Sequence, residues 1–227
     1  MRSWETWWMC GMVAMSLSGL KAPAEQPIRV ACVGDSITFG MGIENRAAHS
    51  YPAMLQDLLG PAYEVRNFGV SATTALKNGA WPYWETPEFK AALAFSPDIV
   101  VLMLGTNDSH MGNRGERDQF EDDLRDLART LRGPGGRAAL ILGLPPPETG
   151  FWRSLHERVL RQDIRPAIRR VAESEGAVLA DLEAVFSGRE DWLPDGIHPN
   201  EPGAEAIART MREAIRTSER RQESNTN

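Results

Sequence analysis

Four short clusters in this chain hold groups whose types and spacing could support acyl transfer. The first is Gly34-Asp35-Ser36-Ile37-Thr38, which follows an apolar run from Ile28 to Val33. A serine placed there can cap the following helix or serve as a nucleophile. As a nucleophile it is weak and needs a base within hydrogen-bond reach, and that base needs a partner to orient it. Asp195-Gly196-Ile197-His198-Pro199 supplies both within one turn: His198 to take the serine proton, and Asp195 to hold the other ring nitrogen. Acyl transfer also needs donors for the developing oxyanion. The backbone N–H of Ser36, the backbone N–H of Gly69 and the side-chain amide of Asn107 are the candidates.

Each residue also has a plainer reading. Ser36 could be only an N-cap, Gly69 a turn glycine and Asn107 a loop-forming residue. Asn107-Asp108-Ser109 also matches a glycosylation sequon. His198 could lie in a surface turn. Asp195 could cap the last helix, leaving Ser36 and His198 to work as a dyad. Asp35 and Asp108 are assigned to turn hydrogen bonds and given no chemistry.

Taken in order, Gly34-Asp35-Ser36, Asn67-Phe68-Gly69-Val70-Ser71, Gly105-Thr106-Asn107-Asp108 and Asp195-Gly196-Ile197-His198-Pro199 resemble the four sequence blocks of the SGNH hydrolases, the GDSL-type esterases. They span nearly the whole chain after residue 24. Ile37 stands where that family often has Leu. The resemblance implies Ser36 as nucleophile, Ser36, Gly69 and Asn107 as oxyanion donors, His198 as base and Asp195 as its partner. It also implies a hydrolase that works without metal or cofactor, on a flavodoxin-like fold.

The elements that must position these residues can be read from periodicity. Ile28–Val33, Tyr63–Val70, Asp98–Leu104, Ala138–Leu144 and Ala177–Leu182 read as strands, and the third, continuously apolar after Asp98, as a central one. Helices are predicted over Tyr51–Leu59, Asp118–Leu131, much of Leu155–Glu175, and Pro202–Arg216. This alternation predicts an α/β fold, a three-layer α/β/α sandwich with a five-stranded parallel sheet in flavodoxin-like order. The strand-end loops then bring Ser36, Gly69, Asn107 and Pro145 to one edge. Residues 25–216 form the single domain, and the polar residues 217–227 are expected to be disordered.

With 42% apolar residues among 227 and a net charge of −6, the chain can bury one sizeable core and shows no basic stripe for nucleic acid. Residues 1–24 resemble an export signal, with a basic start, an apolar run from Trp7 to Leu20 and Ala22-Pro23-Ala24 in an A-x-A arrangement. That run is short for a membrane span, so no stable span is expected after cleavage, and the product is expected to be periplasmic or extracellular. Cys32 reads as a small buried hydrophobe. No metal is expected, because no Cys or His pair stands at ligand spacing.

Fold and triad do not choose a substrate. Trp81, Tyr83 and Trp84, with Trp152 beyond the loop Leu144–Pro147, are candidate substrate-binding aromatics that suit sugar rings. The expected substrate is a small-molecule or glycan ester, most simply an acetylated carbohydrate. The alternatives are a lysophospholipase or thioesterase of the same family, and a non-catalytic glycan-binding module.

Overall fold

The structure, a computed structural model, describes residues 26–150 and 154–226. The leader-like residues 1–24 and Trp152 lie outside the described residues. Five strands form one parallel sheet: β1 Ile28–Gly34, β2 Tyr63–Gly69, β3 Ile99–Met103, β4 Ala139–Leu144 and β5 Val178–Asp181. Their spatial order is β2-β1-β3-β4-β5, the flavodoxin-like arrangement. Its topological switch point lies between β1 and β3, and Ser36 and Asn107 follow those two strands directly.

Helices alternate with the strands: α1 Ser36–Phe39, α2 Arg46–His49, α3 Tyr51–Leu59, α4 Pro87–Phe95, α5 Phe120–Arg132, α6 Ser154–Val159, α7 Arg165–Glu175, α8 Leu182–Val185 and α9 Glu201–Thr226. A single π turn, Leu160–Ile164, joins α6 to α7. β1 shows why the sheet needs cover on both sides. Ala31 and Val33 pack into a core with α4, α5 and α7, whereas Val30 and Cys32 pack into a second core with α3 and α9. Cys32 is free and buried, as expected, and loss of hydration pushes its thiol up to about 12.

The C-terminal end departs from expectation. Residues 217–226 continue α9 as helix rather than forming a disordered tail. The buried stripe Ile207, Met211, Ile215 extends one more turn to buried Ser218. Glu219 then accepts a hydrogen bond from the Tyr63 hydroxyl, and Arg216 bonds both Tyr63 and Glu219. Composition read this segment as solvated. Its docking on β2 orders it.

α4 adds an element that periodicity did not mark. Its signals are local ones: Thr86 accepts a hydrogen bond from Phe89 N, Pro87 sits in the first turn and Glu88 follows.

Candidate active site

Ser36 is the first helical residue after β1, and Asp35 caps the helix. The Asp35 carboxylate accepts a hydrogen bond from Ile37 N at 3.0 Å. With the capping role filled by its neighbour, the Ser36 hydroxyl is available to His198, whose Nε2 lies 2.9 Å from Oγ.

The turn Asp195–His198 places the base and its partner together. Asp195 Oδ1 accepts hydrogen bonds from Ile197 N at 2.9 Å and His198 N at 2.7 Å. Its Oδ2 lies 2.6 Å from His198 Nδ1. Partial burial pushes this carboxyl upward, but the His198 N–H, the His198 ring and the Ile197 N–H outweigh it and hold the group at about 2. The carboxylate therefore stays ionised where a neutral imidazole can act as base. Its side chain is 51% exposed.

Asn107 opens a 3-10 turn, Asn107–Ser109, and one N–H of its amide donates to Thr73 O at 2.9 Å. The fixed carbonyl orients the amide and leaves its second N–H to serve a ligand. Asp108, fully buried behind it, accepts from Ala75 N and Leu76 N at 3.2 and 3.0 Å and thereby fixes the loop after β2. Within that loop Ala72 adopts a positive φ of 68°, one of two non-glycine residues to do so among the described residues.

Gly69 ends β2 where the backbone of α1 crosses closely. A Cβ on residue 69 would lie 2.2 Å from Phe39 N and 2.6 Å from Thr38 C, so only glycine fits. Its N–H donates to Asn67 Oδ1 at 2.8 Å, and Asn67 donates in turn to Thr38 O. This amide can serve an oxyanion only as a shared donor or after Asn67 moves aside.

The structure thus gathers Ser36, Gly69, Asn107, Asp195 and His198 at the carboxyl edge of the sheet. The aromatic residues divide. Trp81 is 67% exposed. Tyr83 is buried and its hydroxyl donates to Phe68 O, so it belongs to the core and not to a substrate surface. Trp84 packs against the same core and donates through Nε1 to Ala75 O, which makes it another strut of the loop after β2. In sequence all three look alike; the chain reversal held by Thr74 and Trp81 turns only the first outward. An open cavity of about 750 Å³ is lined by Phe39, Arg46, Gln56, Asn67 and Gly69 among others, but by none of Ser36, Asn107, Asp195 and His198. Asp35 as helix cap and Asp108 as loop clamp bear out the structural assignments made for them.

Residues 32–206 match the model of the GDSL-like Lipase/Acylhydrolase family. An acetylxylan esterase of Xylanibacter ruminicola is 39% identical over 219 residues, which covers 88% of this chain and 45% of that protein. The chain spans less than half the length of the curated relatives it matches. Among solved structures, an aryl esterase of M. smegmatis superposes with a TM-score of 0.66 at 22% identity, over 84% of this chain and 99% of that one. An acetylxylan esterase of Geobacillus stearothermophilus gives 0.61 at 21% identity, over 83% and 94%. At these identities the two likenesses are of fold.

Proposed function

The chain belongs to the GDSL-like lipase/acylhydrolase family, and on that premise we propose that it is a serine esterase that removes short acyl groups, most simply acetyl, from an acetylated carbohydrate. One observation carries the mechanism: the unbroken line from Asp195 Oδ2 to His198 Nδ1 at 2.6 Å and from His198 Nε2 to Ser36 Oγ at 2.9 Å. As Oγ attacks the acyl carbon, its proton passes to Nε2 and the imidazolium is stabilised by the ionised Asp195. The carbonyl oxygen, now negative, takes hydrogen bonds from Ser36 N–H and Asn107 Nδ2, with Gly69 N–H joining as a donor shared with Asn67. Collapse of this intermediate breaks the ester C–O bond, and His198 returns the proton to the departing alcohol oxygen. Water, deprotonated by the same imidazole, then attacks the acyl carbon; the C–Oγ bond breaks, His198 returns the proton to Ser36 Oγ, and the carboxylic acid leaves.

The acetyl and carbohydrate parts of this reading are supported by the acetylxylan esterase relative and by the exposed indole of Trp81 beside the loop that fixes Asn107. The leader-like residues 1–24 support export to the periplasm or the medium, where such polymers are met. Among the described residues no helix is long and apolar enough to cross a membrane. Acetate release from a panel of acetylated glycans, run beside p-nitrophenyl acetate and octanoate, tests the reading. Preference for acetate esters and a glycan substrate supports it; preference for octanoate overturns the carbohydrate assignment in favour of a lysophospholipase or thioesterase role. No turnover of any ester would favour a glycan-binding module.

A further inference from the structure

The chain has four histidines, and each faces a carboxylate. Two of these pairs are short: His198 with Asp195 and His49 with Glu201, both at 2.6 Å. That is the contact of a charge-assisted hydrogen bond, for which about 2.7–2.9 Å is usual. The other two are different. His110 Nε2 lies 3.3 Å from Glu148 Oε1, and His156 Nδ1 lies 3.3 Å from Glu148 Oε2. One carboxylate is therefore shared by two imidazoles. Their rings stack with centroids 4.3 Å apart and planes at 30°.

The two contacts of 3.3 Å are longer than the short pairs at His198 and His49, so the cluster is not a further copy of those hydrogen bonds. The two contacts to Glu148, one to each carboxylate oxygen, are close to the spacing of another arrangement. Ligands held about 2.0–2.1 Å from a tetrahedral ion stand about 3.3–3.4 Å from one another. The three donor groups lie within 4.8 Å of one another. Two nitrogens and one carboxylate oxygen suit a zinc-class ion and not the all-oxygen shells of calcium or magnesium. The Glu148 side chain is 1% exposed, while His110 and His156 are 34% and 23% exposed, so the cluster has a buried anchor and one side open to solvent.

The anchor is itself held in place. Glu148 N donates to Glu157 Oε2 at 2.8 Å. Glu157 is clamped by the buried Arg165, which also bonds Pro145 O and Pro146 O. We propose that His110 Nε2, His156 Nδ1 and the Glu148 carboxylate form a binding site for a zinc-class divalent ion, separate from the Ser36 centre, with a fourth position open to water.

The site joins three segments that frame the active edge. His110 directly follows the turn that carries Asn107. Glu148 precedes Thr149, whose N–H donates to Gly196 O in the Asp195–His198 turn at 2.9 Å. His156 belongs to α6. Bound metal would brace these segments without touching the ester. Sequence spacing does not announce the site, because its ligands are separated by 38 and 8 positions and meet only in the fold.

The test uses the full chain without a histidine tag, stripped with chelator and titrated with Zn²⁺, Co²⁺ and Mg²⁺. Metal content after dialysis, calorimetry and melting temperature are the readouts. Expected are one Zn²⁺ per chain, a raised melting temperature, a tetrahedral Co²⁺ absorption and no response to Mg²⁺. His156→Ala and Glu148→Gln should each weaken Zn²⁺ binding at least tenfold, while His49→Ala and His198→Ala should bind as the parent does. Should Glu148→Gln fail to fold, His156→Gln leaves the buried anchor intact and reads the same loss. Zn²⁺ binding absent from the parent, retained in the His156 variants, or lost in His198→Ala would overturn the proposal. The first of these outcomes would leave two imidazoles hydrogen-bonded to Glu148 and nothing more.

Discussion

The carboxylates on the two sides of Ser36 have opposite surroundings. Asp195, in the turn before α9, is half exposed, and its three N–H contacts from Ile197 and His198 hold it ionised down to about 2. Asp35 and Asp108, beneath the serine, are fully buried. Burial raises Asp35 to about 7, and the nearby Asp108 adds to the rise while the Ile37 N–H opposes it. Burial likewise raises Asp108 to about 6 against the pull of the Leu76 and Ala75 amides. One chemical group thus serves two ends. At the rim it stays charged and steadies an imidazolium; inside, burial opposes its charge while the backbone N–H groups it ties down favour it, and those hydrogen bonds fix the loops. Environment, not residue type, assigns the role.

This contrast can be broken most directly at the rim. Ser36→Ala should lower esterase turnover about 10⁴–10⁶-fold while leaving the melting temperature near the parent's. Activity surviving in that variant would remove the nucleophile assignment. Asp195→Asn should cost about 10²–10⁴-fold in kcat, because the amide cannot compensate the imidazolium. A loss of only a few-fold would leave Ser36 and His198 as a working dyad. Asn107→Ala should cost about 10²–10³-fold, carried by kcat with KM little changed, since an oxyanion donor acts on the transition state.

Inside, the readout changes from rate to stability. Asp108→Ala leaves two buried N–H groups unpaired and should destabilise the fold by about 1–3 kcal/mol for each, measured by urea unfolding. Asp195→Ala should move stability far less. Comparable losses from the two would erase the distinction between rim and interior.

Acid–base behaviour gives the finest comparison. Asp195 is lowered in the fold, so its contribution is present above the ordinary carboxylate range near pH 4 and is lost as pH falls towards about 2. Asp35 is raised, so its contribution is present below about pH 4 and is lost as pH rises through about 7. Asp35→Asn, which keeps a capping oxygen, should flatten the stability profile between those limits. An unchanged profile would show that Asp35 does not titrate there.

Much of this arrangement was legible in the chain because it depends on local pattern. Continuous apolar runs mark β1, β3 and β4, and the four motif blocks mark the residues that meet at the sheet edge. Features set by tertiary packing were not. Tyr83 and Trp84 share an aromatic stretch with Trp81, and only the fold shows that two of them face inward. Residues 217–226 are polar enough to stand in water, yet Tyr63 on β2 gives Glu219 a docking partner 156 positions away. His110, Glu148 and His156 carry no common spacing, and three separate elements had to be folded before they could face one another.

The base and its orienting carboxylate are 3 positions apart, whereas the base and the nucleophile are 162 apart. The first contact needs one turn of chain; the second closes a loop around most of the domain and carries the larger entropic cost. The Asp195–His198 geometry can therefore form early and on its own, while the catalytic line is completed only when the turn before α9 reaches β1. During refolding, recovery of turnover should coincide with this last closure and lag behind signals from the sheet. The ester cleavage proposed for this line would then serve as a clock for the final step of folding.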